Sequence, residues 1–160
     1  MRFATNPVCR AWSHRSRVKW ETSRCSCAWH CRAWTKGVPH MKVLLIDDSA
    51  IMRMMLKSLL KQVNLTDVVE AGNGIEGLET LTQHTVDLII LDLHMPEMDG
   101  PTFLREVKKT QWANIPVVVV SSDADESQVA ETKRLGACTY ITKPFRVEGL
   151  QEALAAVKSA

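Results

Sequence analysis

"DLIILDLHMPEMDG", residues 87–100, decides the fold. The unbroken apolar run from Leu88 to Leu91 suits a strand buried on both faces, as in a parallel sheet covered by helices on each side. A carboxylate, Asp92, follows at once, and then a turn-rich stretch holding His94, Pro96, Asp99 and Gly100. In an open sheet of parallel strands, ligands sit beyond the carboxyl ends of the strands. A polar residue set directly after a buried strand is therefore a candidate site residue, and the same pattern should recur along the chain.

It recurs three times. "KVLLI" (42–46) runs into Asp47 and Asp48, "VVVV" (117–120) into Ser121, and "CTYIT" (138–142) into Lys143; "DVVEA" (67–71) is a further strand. Between these lie segments of helical period. "SAIMRMMLKSLLKQ" (49–62) opens on Ser49, a good N-cap, and sets Ile51, Met52, Met55, Leu56, Leu59 and Leu60 on one face. "GIEGLETLTQ" (74–83) spaces Ile75, Leu78 and Leu81 helically, although Gly77 lowers its propensity. "PTFLREVKKT" (101–110) opens on proline and closes on lysines, "ESQVAETKRLG" (126–136) closes on Gly136, and "VEGLQEALAAVKSA" (147–160) turns Val147, Leu150, Leu154 and Val157 inward. Gly100 reads as the free turn before the third helix, and Cys138 as a small buried hydrophobe. The expectation is an α/β fold: a doubly wound, five-stranded parallel sheet with helices on both faces.

Composition divides the chain at Met41. Residues 1–40 carry a net charge of +7, residues 41–160 a net of −5, and the first segment holds four of the five cysteines and four of the five tryptophans. A shift this sharp marks a boundary. Residues 1–40 have no helical or strand period and no apolar run of signal-peptide or membrane-spanning length. Cys25, Cys27 and Cys31 with His30 do not match the usual zinc spacings, and basic residues interleaved with tryptophans could touch nucleic acid. The plainer reading is a disordered arm, or sequence upstream of the true start at Met41. Residues 41–160 form the second domain.

If the first and third strands are neighbours, Asp47, Asp48 and Asp92 converge on one sheet edge that Ser121 and Lys143 also reach. Each has a plain explanation alone: an acid favouring a helix N-terminus, a turn cap, a loop hydroxyl, a solvated lysine. Together they do not, because three crowded carboxylates repel one another unless a cation offsets them. An all-oxygen donor set of few protein groups suits Mg²⁺.

These pieces resemble one family. The acid pair in "LLIDDS", the aspartate in "LDLHMPEMDG", the hydroxyl after "VVVV" and the Lys-Pro of "GACTYITKPF" match, in order, the motifs of response-regulator receiver domains of the stand-alone, CheY-like kind, over residues 41–160. The resemblance implies the flavodoxin-like strand order 2-1-3-4-5. It implies that Asp92 is the phosphoacceptor, taking a phosphoryl group from a phosphohistidine on a sensor histidine kinase. It implies Mg²⁺ held by Asp48, Asp92 and the backbone carbonyl of His94, with Asp47 acting through water. Lys143 and Ser121 contact the phosphoryl group, and Tyr140 moves from exposed to buried as Ser121 is drawn in. It further implies a cis bond between Lys143 and Pro144, and a downstream protein bound through the fourth helix, fifth strand and fifth helix.

Other positions carry less. His94 and Asp123 lie where the family tunes loss of the phosphoryl group, Ser122 where it often has a smaller residue, and Arg53 reads equally well as a solvated helix arginine. No DNA-binding or catalytic domain follows the last helix, so the expected output is protein binding: a cytoplasmic two-component switch, of chemotaxis type, that acts on no substrate but itself. The alternatives are a phosphorelay intermediate handing the group to a histidine phosphotransfer domain, and a receiver-shaped scaffold that is never phosphorylated. No nucleic-acid contact through the receiver and no membrane span are expected.

Overall fold

A computed structural model describes residues 41–122 and 125–159. The readings placed on residues 1–40 and on Asp123 lie outside the described residues. Five strands alternate with five helices: β1 Val43–Ile46, α1 Ala50–Gln62, β2 Val68–Ala71, α2 Gly74–Gln83, β3 Leu88–Asp92, α3 Gly100–Val107, β4 Val117–Ser121, α4 Glu126–Arg134, β5 Thr139–Thr142 and α5 Val147–Ser159. The sheet is parallel throughout and ordered β2-β1-β3-β4-β5, as expected.

The apolar runs explain both layers of the core. Leu44, Ile46, Ile89, Leu91, Val117 and Val119 pack with Leu81 of α2 and Phe103, Leu104 and Val107 of α3. The alternate residues Val43, Leu45, Leu88, Ile90, Val118 and Val120 pack with Leu56 and Leu60 of α1 and with Leu150, Ala153 and Leu154 of α5. Side chains alternate across a strand, so a strand covered on both faces must be apolar at every position.

Helix ends follow local chemistry. Ser49, Asn73, Asp99 and Asp125 cap α1 to α4 with side-chain oxygens. After α1 and α4 the chain takes left-handed residues, Asn64 at φ 62° and Gly136 at φ 103°. In both cases the next two amides return to the helix: Asn64 to Lys61 and Leu65 to Leu60, Gly136 to Lys133 and Ala137 to Thr132. That is the paired closure expected of a left-handed residue after the cap.

Three expectations need correction. On α1 the inward stripe is narrower than expected: Leu56 and Leu60 are buried, but Ile51 is 70% and Met55 50% exposed, so the core covers only the later turns of the helix. Ile75, in the first turn of α2, is likewise 43% exposed. Cys138 is exposed, and its neighbour Ala137 takes the buried position. Gly100 opens α3 as expected, and the loop before it passes through a left-handed residue at Glu97, φ 65°.

Candidate functional site at the carboxyl edge of the sheet

Strand register assembles the site. Ile46 pairs with Leu91, so Asp47 leaves β1 level with Asp92, the last residue of β3. Asp92 pairs with Val120 and Ser121 with Thr142, which sets Ser121 and then Lys143 one step further along the same edge. The carboxylates of Asp47, Asp48 and Asp92 each place an oxygen within 4.8 Å of the others. Asp47 and Asp92 are buried and Asp48 is exposed, so the cluster has a closed floor and one open wall.

Lys143 lies across the floor. Its Nζ donates to Asp92 Oδ2 at 2.9 Å and to Asp47 Oδ2 at 3.1 Å. The other oxygens are fixed from the backbone: the Leu93 amide donates to Asp92 Oδ1, and the Ser49 amide to Asp47 Oδ1, both at 2.8 Å. Burial raises the Asp47 pKa above its ordinary 3.8, with the Asp92 charge adding to it; the Ser49 amide and the Lys143 ammonium pull the other way without cancelling it. For Lys143 burial works to lower the pKa, but the hydrogen bonds and charges of Asp92 and Asp47 outweigh it, and the ammonium is held charged beyond its ordinary 10.5.

The loop after β3 is held close to the site. Gly100 donates its amide to the Leu93 carbonyl at 3.0 Å. A Cβ on Gly100 would lie 2.7 Å from the Asp92 carbonyl oxygen and 2.8 Å from Leu93 Cα, so this glycine is required for proximity. Asn73 Nδ2 donates to Glu97 Oε2 at 2.9 Å and ties the loop to the start of α2. A cleft of about 450 Å³ opens beside the cluster, lined among others by Asp48, His94, Pro96, Gln128 and Thr132.

Of the residues singled out from sequence, Asp47, Asp48, Asp92 and Lys143 meet directly. Ser121 is fully buried at the end of β4, and its carbonyl accepts the Lys143 amide at 2.8 Å. His94 is exposed, two residues beyond Asp92. Tyr140 is half-buried against the core. The Lys143–Pro144 bond is cis. One residue the sequence left undecided is tied to the site: Arg53 of α1 donates to the Asp47 carbonyl at 2.6 Å and to Glu70 of β2 at 3.2 Å. No sequence pattern marks it, because a bond to a backbone carbonyl leaves no trace in the partner's side chain.

Five parallel strands in this order, with acids at two central strand ends and a lysine across them, define a receiver-type architecture. Residues 43–155 match the family model of the response regulator receiver domain, and the chain belongs to that family. It is similar to the chemotaxis protein CheY of Bacillus subtilis strain 168, 37% identical over 113 residues that cover 71% of this chain and 93% of that protein. It is also similar to the probable C4-dicarboxylate response regulator DctR of the same strain, 38% identical over 114 residues, 71% of this chain but 50% of that longer protein. Among solved structures, the chemotaxis response regulator CheY4 of Vibrio cholerae matches with a TM-score of 0.67 at 31% identity, over 73% of this chain and 98% of that one.

Proposed function

We propose that residues 41–160 act as a single-domain response regulator of chemotaxis type, in which Asp92 accepts a phosphoryl group and the phosphorylated domain changes its binding to another protein. The observation that carries this reading is the convergence of Asp47, Asp48 and Asp92 within 4.8 Å, with Lys143 bonded to the two buried acids. Similarity to chemotaxis CheY proteins over nearly their whole length supports the single-domain, chemotaxis-type form.

Three carboxylates and one ammonium leave a net charge of about −2, which a divalent cation neutralises. The donor set is all oxygen with an exposed wall for waters, which fits Mg²⁺. Asp48, Asp92 and the His94 backbone carbonyl would hold it, with Asp47 through water. Bound there, the ion supplies charge neutralisation for the phosphoryl oxygens.

The donor is a phosphohistidine on a sensor histidine kinase. An Asp92 carboxylate oxygen forms the bond to phosphorus, the phosphorus–nitrogen bond breaks, and the imidazole keeps the electron pair and takes up a proton. The Lys143 ammonium sits against Asp92 Oδ2 and offsets the charge that arrives. The Ser121 hydroxyl turns to the phosphoryl group, the loop after β4 follows it, and Tyr140 moves inward, so a local charge event biases the α4–β5–α5 face on which the downstream protein docks. The protein thus acts on itself alone. Among the described residues no helix is long and apolar enough to cross a membrane, and the proposed donor chemistry belongs to the cytoplasm.

Intact mass of the protein with a small phosphodonor, with and without Mg²⁺ and beside Asp92→Asn, tests the reading. The expected result is one phosphoryl adduct that requires Mg²⁺ and is missing in the variant. A folded wild-type protein that gains no adduct from either a small donor or a cognate kinase would return the domain to a scaffold role.

A further inference from the structure

We propose that Arg53 is a positioning residue of this site, which fixes the peptide plane between Asp47 and Asp48 and so sets how Asp48 presents its carboxylate to a divalent cation. The inference rests on the metal-site reading above. Its basis is the complete bonding of Asp47. The Asp47 amide donates to the Ala71 carbonyl at 3.3 Å, Oδ1 accepts from Ser49, Oδ2 from Lys143, and the carbonyl accepts from Arg53 Nη1 at 2.6 Å. The carbonyl is the one polar group of Asp47 that its peptide plane shares with Asp48. Whatever fixes that oxygen fixes the direction in which the chain leaves β1.

Arg53 is itself immobilised. Its Nε donates to Glu70 Oε2 at 3.2 Å while Nη1 reaches the Asp47 carbonyl, so one planar guanidinium links α1, β2 and the acid loop. Only 20% of its side-chain surface is exposed. Lys57 also pairs with Glu70 but makes no bond to Asp47 among those the structure shows, which makes it an internal control with the same charge on the same helix.

The sign of the charge effect makes the test decisive. Arg53 is a cation near a cation site, so deleting its charge alone would tighten Mg²⁺ binding. Loosened binding must therefore come from lost geometry. Mg²⁺ is titrated calorimetrically into the full chain as wild type, Arg53→Gln, Arg53→Lys and Lys57→Gln. Amide resonances of Asp48 and Ser49 are recorded in each variant before the metal is added. Loss of a partner that orients a metal ligand weakens affinity by about tenfold, and that is expected for Arg53→Gln. Arg53→Lys, which keeps one donor but not the fork, should fall between, and Lys57→Gln should stay within about twofold of wild type. The Asp48 amide should shift in Arg53→Gln and not in Lys57→Gln. Equal or tighter binding in Arg53→Gln, or equal weakening in Lys57→Gln, overturns the inference and leaves the metal site standing. A wild-type protein that takes up no Mg²⁺ overturns the site and the inference together.

Discussion

Replacing Lys143 by methionine removes the only ammonium bonded to the acid cluster among the described residues while keeping most of the side-chain volume. Nζ lies 2.9 Å and 3.1 Å from oxygens of Asp92 and Asp47, which are 5% and 1% exposed. Breaking a buried pair by removing one partner costs about 3–5 kcal/mol. The Lys143 side chain retains 17% of its surface and Asp48 faces solvent, so some of that cost is screened. A loss of about 2–3 kcal/mol is expected at neutral pH, which for a domain of this size lowers the thermal midpoint by about 10 °C. The pH dependence has a definite sign. Asp47 has a folded-state pKa raised above 3.8, so its contribution to stability is fully present below 3.8 and is lost as pH rises through the folded value. Without the ammonium that folded value moves further up, and the gap between variant and wild type should widen from acid to neutral pH. Lys143 is raised above 10.5, so wild type keeps its contribution below 10.5 and loses it as pH climbs through the folded value. The methionine variant should lack that alkaline loss. Mg²⁺ at ten times the wild-type dissociation constant adds about 1.4 kcal/mol to wild type by mass action, and at that same concentration it should raise the midpoint of the variant more, because no ammonium competes for the acids and binding is tighter. Equal midpoints for the two proteins between acid and neutral pH would refute the electrostatic account of the cluster.

Asp47→Asn removes a desolvated charge beside Asp92 and should be more stable than wild type at neutral pH in the absence of Mg²⁺, with the difference vanishing below pH 3.8, while Mg²⁺ raises its midpoint less; urea titrations with and without the ion read both effects. Gly100→Ala forces a Cβ within 3 Å of backbone atoms of Asp92 and Leu93, which cannot yield as a side chain can. It should cost about 2–3 kcal/mol in urea unfolding and slow adduct formation at Asp92 in the mass assay. Leu56→Ala should cost about 2–4 kcal/mol, whereas Ile51→Ser and Met54→Ser, on the exposed side of α1, should stay within about 0.5 kcal/mol of wild type.

The strands and the site edge were legible because they obey the simplest rules. A strand covered on both faces must be apolar throughout, and the first polar residue after it falls at the carboxyl edge of the sheet, where Asp47, Asp92, Ser121 and Lys143 stand. Helical period was less informative at the start of α1. Ile51 and Met55 fit its apolar stripe but are exposed, while Leu56 and Leu60 further along reach the core. Gly77 counted against α2 by propensity, yet a Cβ there would meet Ile46 Cδ1 at 2.6 Å. Close approach of helix to strand decides that position, and a one-dimensional pattern does not carry it. Cys138 precedes β5, the edge strand of the sheet, and there the chain buries Ala137 in place of its neighbour, a choice that residue type alone does not reveal.

Arg53 marks the deeper boundary of what a sequence can tell. The acids announce themselves because their charge is out of place after a buried strand. The residue that aims them does not, since an arginine in the first turns of a helix is ordinary and its partner is a backbone oxygen that every residue possesses. On the proposed reading, a cation held by Asp48 and Asp92 needs the short loop that carries Asp48 held, because a carboxylate free to rotate away loses the preorganisation that gives such a site its affinity. β1 ends at Ile46 and α1 begins at Ala50, so only three residues span the gap. Ser49 caps the helix, Lys143 holds the Asp47 carboxylate, and the remaining freedom is rotation of the peptide between the two acids. The bond from Arg53 removes that freedom.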